Sequence, residues 1–265
     1  MRAGPRITAL LVACWLCAAP AFAATGEAVS VTVRGKALTL TIYKARQGAQ
    51  PRGTIFMAGG DVGWVGLGVT LAEFLSDEGY VVAGINVHQY LSAFTTATDH
   101  LLVAQIPLDY AVFADVMRRR GLLPAPVVLS GVSEGAALAV AAAAVPGTHA
   151  WVQGVLTLGL PPSAELAWRW TDFTSWITKR NANEPSFEPD DVIGQVSPVP
   201  IWMIQSRRDE YVKETDYRRF EAAARPPKHL VLIDASNHRF TDRLPELKQQ
   251  VVAGLAWIAA TRQGS

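Results

Sequence analysis

Three residues of this chain, Ser133, Asp209 and His238, have the types and surroundings that nucleophilic chemistry needs. A serine hydroxyl is a weak nucleophile until a base takes its proton, and that base works only when a third group orients it. Ser133 stands in Gly131-Val132-Ser133-Glu134-Gly135, where an apolar run from Pro126 to Leu129 passes without a linker into an alanine-rich helix former. That strand–turn–helix context is what makes G-x-S-x-G a nucleophile elbow. The sharp turn should strain the Ser133 backbone, and the flanking glycines should remove side chains that would collide with strand and helix. The start of the helix should then offer unpaired N–H groups and a positive dipole end to an oxyanion.

The base comes from five histidines. His238 follows Leu230-Val231-Leu232-Ile233 and a short loop, which puts it at the carboxyl end of the last strand, on the elbow's edge of the sheet. His229 lies at the other end of that strand, His149 on the far side after the elbow helix, and His88 and His100 near the functional edge but before the nucleophile. These four read as structural or surface residues. The acid should follow the nucleophile and precede the histidine at another strand's end. Asp209 in Ile201-Trp202-Met203-Ile204-Gln205-Ser206-Arg207-Arg208-Asp209-Glu210-Tyr211-Val212 meets that condition, with Glu210 as its alternative and pairing of Asp209 with Arg207 or Arg208 as the bland reading.

The elements that must position these groups are legible in the apolar pattern. Val29–Arg34 and Leu38–Tyr43 alternate about Gly35-Lys36 and predict an antiparallel hairpin with one wet face. Six continuous apolar runs follow, beginning at Thr54, Val81, Val127, Val155, Ile201 and Leu230, as strands buried on both faces of a parallel sheet would. Between them, Leu67, Leu71, Phe74 and Leu75, then Ile106, Tyr110, Phe113 and Met117, have helical spacing. Residues 217–224 and a final segment with Leu247, Val251, Leu255 and Ile258 continue the alternation. The expectation is an α/β fold: a mostly parallel, doubly wound sheet led by an antiparallel hairpin. Residues 161–198, rich in Pro, Trp and polar side chains, break the pattern as an insertion without a clear strand.

The order Ser133…Asp209…His238, carried by Gly131–Gly135, Arg208–Val212 and Asn237-His238-Arg239-Phe240, resembles the α/β-hydrolase superfamily over essentially the whole mature length. The resemblance implies an oxyanion hole made by the N–H of Glu134 and one from the loop Met57–Trp64, with Asp61 as the second donor and Val62 as its alternative. Members often carry His-Gly in that loop, where this chain has Gly59-Gly60. Neither G-x-x-x-x-G-K-[ST] nor G-x-G-x-x-G is present to make it a phosphate cradle. Gly60-Asp61-Val62-Gly63-Trp64 and Gly84-Ile-Asn-Val-His-Gln-Tyr90 are also similar to the VirJ/AcvB branch of exported, virulence-associated bacterial hydrolases. This chain departs from that branch at Val62 and at Glu134, which puts the branch's aminoacyl-phosphatidylglycerol substrate in doubt. Asp61 and Glu134 either face a substrate ammonium or stand as solvated loop acids that lend only backbone N–H groups; the second is the expectation.

Composition bounds the rest. The chain has 265 residues, half of them hydrophobic, enough for one α/β domain over 24–265. Arg2 and Arg6, an apolar stretch from Ile7 to Ala19, and Ala21-Phe22-Ala23 read as a cleaved signal peptide over 1–23. Leu11-Val12-Ala13-Cys14 resembles a lipoprotein processing box, but it would leave a very short apolar core, so the later site is expected. Both cysteines lie in that segment, which leaves neither disulfides nor thiolate chemistry. Its removal turns 24 basic against 23 acidic residues into a balance of one negative charge, which argues against a nucleic-acid partner. Trp64 and, in the insertion, Trp170 and Phe173 are the candidate substrate-binding residues. The insertion reads equally as a cap over an apolar acyl pocket or as a face packed on the sheet. The expected protein is a periplasmic or secreted serine hydrolase, acting on a small-molecule or lipid ester ahead of an amide. It needs no cofactor or metal and makes at most transient contact with a membrane surface. The alternative is a non-catalytic binding or secretion-associated module on the same scaffold.

Overall fold

The computed structural model describes residues 26–46, 50–168 and 185–263, so the expected signal peptide and the middle of the insertion (169–184), Trp170 and Phe173 included, lie outside the described residues. The hairpin is β1 (Glu27–Val33) and β2 (Lys36–Tyr43). β3 (Thr54–Ala58), α1 (Leu67–Asp77), β4 (Val81–Ile85), α2 (Val87–Phe94) and α3 (Ile106–Arg119) follow. Next come β5 (Val127–Val132), α4 (Glu134–Ala143), a single-turn α5 (Pro146–His149) and β6 (Gly154–Leu158). The described ends of the insertion carry β7 (Ala164–Glu165), β8 (Ser186–Phe187) and α6 (Asp190–Ile193). β9 (Ile201–Ser206), α7 (Glu214–Ala223), β10 (Lys228–Ile233) and α8 (Leu244–Gln263) complete the order.

Eight strands form one sheet in the order β1-β2-β4-β3-β5-β6-β9-β10. β1 and β2 are antiparallel to each other, β2 is antiparallel to β4, and every pairing beyond that is parallel. The parallel strands are apolar on both sides because both faces are covered. Phe56, Leu129 and Met203 belong to a cluster with Tyr110, Phe113 and Met117 of α3, Leu138 of α4 and Phe220 of α7. Ile55, Met57 and Ile204 belong to the opposite cluster with Leu71 and Leu75 of α1 and Leu247, Val251 and Ile258 of α8. All ten residues of α4 are buried, which explains its alanines: small side chains let a helix lie close to the sheet while other helices cover its back.

Two elements depart from the sequence expectation. The apolar pattern assigns no helix between the run at Val81 and Ile106, yet α2 starts at once after β4, capped by the Asn86 side chain accepting the Gln89 N–H at 3.0 Å. Its buried face, Val87, Tyr90, Leu91 and Phe94, does have helical spacing. The insertion, expected to lack strands, contributes the antiparallel pair β7–β8 at its neck; two residues each are too few to leave a periodic signal. Among the described residues no helix is long and apolar enough to cross a membrane.

Candidate active site

The register of the parallel strands brings the chemistry together. Val132 pairs with Leu158, Leu158 with Ile204, and Ser206 with Ile233, so the loops leaving β5, β6, β9 and β10 emerge along one rim. Ser133 sits between β5 and α4 at φ 54°, ψ −121°, a conformation costing roughly 1–3 kcal/mol in a non-glycine residue. The packing that holds it there is visible in its glycines: a Cβ on Gly131 would overlap the Gly135 backbone, and one on Gly135 would overlap the carbonyls of Ala58 and Gly59. The Ser133 N–H donates to the Leu158 carbonyl at 2.9 Å, tying the elbow to the end of β6.

His238 lies on the loop after β10, whose path Asn237 organises by accepting the N–H groups of Arg239 and Thr241 at 3.1 and 3.3 Å. Ser206 donates its hydroxyl to Ala235 O at 3.0 Å, fastening that loop to β9. His238 Nδ1–H donates to Asp209 Oδ2 at 2.6 Å, and the Asp209 side chain is fully enclosed. The other oxygen, Oδ1, accepts N–H groups from Tyr211 and Val212 at 2.8 and 3.0 Å, so the carboxylate is held at both ends. Arg208 turns away to Asp234, at 3.5 Å, rather than to Asp209. Glu210, the alternative acid, has a different position: its Oε2 accepts the His238 backbone N–H at 2.8 Å.

With Nδ1 committed to Asp209, Nε2 is the other ring nitrogen; it is buried and, among the described residues, has no hydrogen-bond partner. The ring lies against Gly159, where a Cβ would meet its Cε1 at 2.8 Å and its Nε2 at 3.3 Å. Gly159, at φ 61°, directly follows the residue to which Ser133 is bonded, so serine and imidazole flank the same two residues of β6 and its exit. Tyr211 covers the ring edge-on at 5.4 Å between centroids.

The loop between β3 and α1 supplies the second side. Gly60 faces Ser133, and the Gly63 N–H closes the turn on the Gly60 carbonyl at 2.9 Å. Asp61 Oδ1 accepts the Val62 N–H at 2.9 Å. That bond occupies the alternative donor, and among the described residues the Asp61 N–H has no acceptor. As the first residue of α4, Glu134 presents the helix-start N–H beside Ser133.

Two expectations need correcting. Glu134 is not a solvated loop acid: its side chain is buried and its Oε1 accepts the Glu165 N–H at 2.7 Å. Burial first, then repulsion from Glu165 and Asp61, pushes its carboxyl up to about 8, against the pull of that N–H. Trp64 turns inward from the loop. Its ring packs on Gly84 and Gly68 and its Nε1–H donates to Tyr43 Oη at 3.3 Å, which anchors the loop instead of lining a pocket.

Three other histidines make contacts of their own. His229 stacks on Trp202 at 4.2 Å and His149 bonds Ala143 O at 2.9 Å on the far side. His88 meets Trp168 edge-on at 4.0 Å. Sequence reasoning named Glu134 and Glu210 but not the places their side chains take, and it missed Gly159. Only a glycine directly after an apolar run carried any signal for the last. Among the described residues no cluster of His, Cys, Asp and Glu could hold a metal ion.

No protein-family model and no curated protein matches the chain. Solved structures do. Est1E from Butyrivibrio proteoclasticus superposes with a TM-score of 0.63 at 12% identity, covering 89% of this chain and 100% of its own. XC6422 from Xanthomonas campestris, described as an α/β serine hydrolase without a lid, gives 0.58 at 16% identity over 89% and 96% of the two chains. A membrane phospholipase A, described as a bacterial virulence factor, gives 0.65 at 13% identity over 89% and 87%. At these identities the likeness is one of architecture: the chain has the α/β-hydrolase fold.

Proposed function

We propose that this protein is an exported serine hydrolase that cleaves a carboxylic ester, and an amide less readily. The observation that carries the reading is His238, whose Nδ1 is held by Asp209 at 2.6 Å while its buried Nε2, beside the Ser133 elbow, has no partner among the described residues. In this reading Ser133 Oγ attacks the substrate carbonyl carbon as His238 Nε2 takes the hydroxyl proton. The imidazolium is stabilised by the Asp209 carboxylate, and the N–H groups of Glu134 and Asp61 receive the oxyanion. Collapse of the tetrahedral adduct breaks the bond to the leaving alcohol, which takes the proton from His238. Water, deprotonated by the same nitrogen, then releases the acid and restores Ser133.

The substrate is proposed to be a small-molecule or lipid ester, met in the periplasm or outside the cell after removal of residues 1–23. The esterase and phospholipase neighbours are compatible with both. Because Glu134 is engaged with Glu165, the acid left to face a substrate ammonium is Asp61, which is exposed. A panel of p-nitrophenyl esters of increasing acyl length, run beside aminoacyl-phospholipids, tests the class. One or more members should be turned over, and S133A should lose about five orders of magnitude in kcat while its melting curve is kept. Undiminished hydrolysis by S133A would remove the assignment. Inert wild-type protein that instead captured a partner would favour the binding module.

A further inference from the structure

The proposed mechanism uses only the backbone of Glu134, yet its buried carboxyl joins the turn carrying Ser133 to the strand that opens the insertion. Its residue follows the nucleophile directly, so its N–H and its side chain move with the same turn. The carboxyl enters the protein rather than solvent and receives the N–H of Glu165, in the strand that opens the insertion. That neck is a defined structure. β7 pairs with β8, the Leu166 N–H donates to Pro185 O at 2.7 Å, and Leu166 O in turn accepts the Leu101 N–H at 2.9 Å. The Trp168 N–H donates to Thr95 Oγ1 at 3.0 Å. Leu101 and Thr95 hold the neck to the α2–α3 side; Glu134 holds it to the elbow.

Resting on the hydrolase reading above, we propose that the Glu134 carboxyl is a positioning group that fastens the neck of the insertion to the turn carrying Ser133. The chemistry suits a neutral carboxyl at this place. Its carbonyl oxygen accepts the Glu165 N–H without adding charge next to the N–H groups that would receive an oxyanion, whereas its ionised form would oppose that oxyanion at short range. The groups around it favour the neutral form. Asp61 faces it from the β3–α1 loop and Glu165 from β7. β3, β5 and β6, which pack on α4, carry no ionisable side chain. Of the helices packed there, α3 carries Asp109, paired with Arg34, Tyr110, and Asp115, which pairs with Arg118 and Arg119 at the exposed end of the helix. α5 carries His149, bonded to Ala143 O, and α6 carries Asp190, paired with Arg219, and Asp191. The acid is therefore expected to stay protonated until about pH 8.

The test compares wild type, E134A and E134Q by amide exchange over residues 164–168 and by the rate of labelling with a fluorophosphonate as pH is varied. Gln keeps the accepting oxygen and cannot ionise. E134A should speed exchange in the neck and slow labelling, each by about tenfold, and E134Q should recover the larger part of both. Wild-type labelling should decline above pH 8, with no such decline in E134Q. Neck exchange in E134A equal to wild type, or an alkaline decline kept in E134Q, would overturn the proposal. Should E134A fail to fold, the exchange and pH profile of E134Q against wild type still decide. A wild type that takes no label but shows the exchange differences would sink the hydrolase reading and leave the tie standing.

Discussion

Asp209 illustrates how much a single side chain is asked to do. One oxygen shapes its own loop by accepting two backbone N–H groups, and the other orients His238. Asn at this position would present an N–H₂ to one of those partners. If it faced His238, it would reverse the hydrogen bond and put the ring proton on Nε2, where the base is needed. D209N should therefore lower kcat on a p-nitrophenyl ester by roughly 10³–10⁴ with little change in KM, as wrong-tautomer variants of such triads do. A loss below tenfold would mean that Asp209 does not orient the base.

At the scale of elements, the sheet's first edge is fixed by a charged group as much as by apolar packing. Arg34, in the β1–β2 turn, grips Asp109 of α3 through Nε and Nη2 at 2.9 and 2.7 Å, and Tyr90 of α2 donates its hydroxyl to Asp109 at 2.6 Å. Asp109 is buried, so its loss would strand the Tyr90 hydroxyl and the inner face of the guanidinium. D109A should cost about 3 kcal/mol and lower Tm by about 6–12 °C, measured by thermal unfolding. A shift within one or two degrees would contradict this account of the hairpin's attachment. None of this was legible in the sequence, where Asp109 is one acid in a helical stretch and its partners lie 75 and 19 residues away. The strands were legible because burial on both faces writes continuous apolar runs. α2 has a helical period too, but its eight residues directly after β4 are too few for that period to stand out.

At the scale of the whole molecule, strand order and register gather residues 133, 209 and 238 on one rim, and the positions of Ser133 and His238 were readable because strand ends are where chain order becomes spatial order. Side-chain direction was not readable: nothing in Gly-Val-Ser-Glu-Gly tells whether the glutamate faces water or β7. The buried acid also leaves a mark on global stability. A carboxyl whose pKa rises from 4.5 to about 8 on folding binds its proton more tightly in the folded state. Its contribution is fully present below pH 4.5 and is lost as pH climbs to about 8. E134Q should escape that loss. The difference in urea-unfolding free energy, E134Q minus wild type, should grow with pH by on the order of a few kcal/mol across this window. A difference independent of pH would show that the carboxyl titrates normally.

The most direct test of the central claim is where a fluorophosphonate attaches. After reaction with the wild-type protein, intact mass should show one adduct per chain, and peptide mapping should place it on Ser133. S133A should show none, and H238A should react at least a hundredfold more slowly. An adduct on any other residue, or equal labelling of wild type and S133A, would contradict the account.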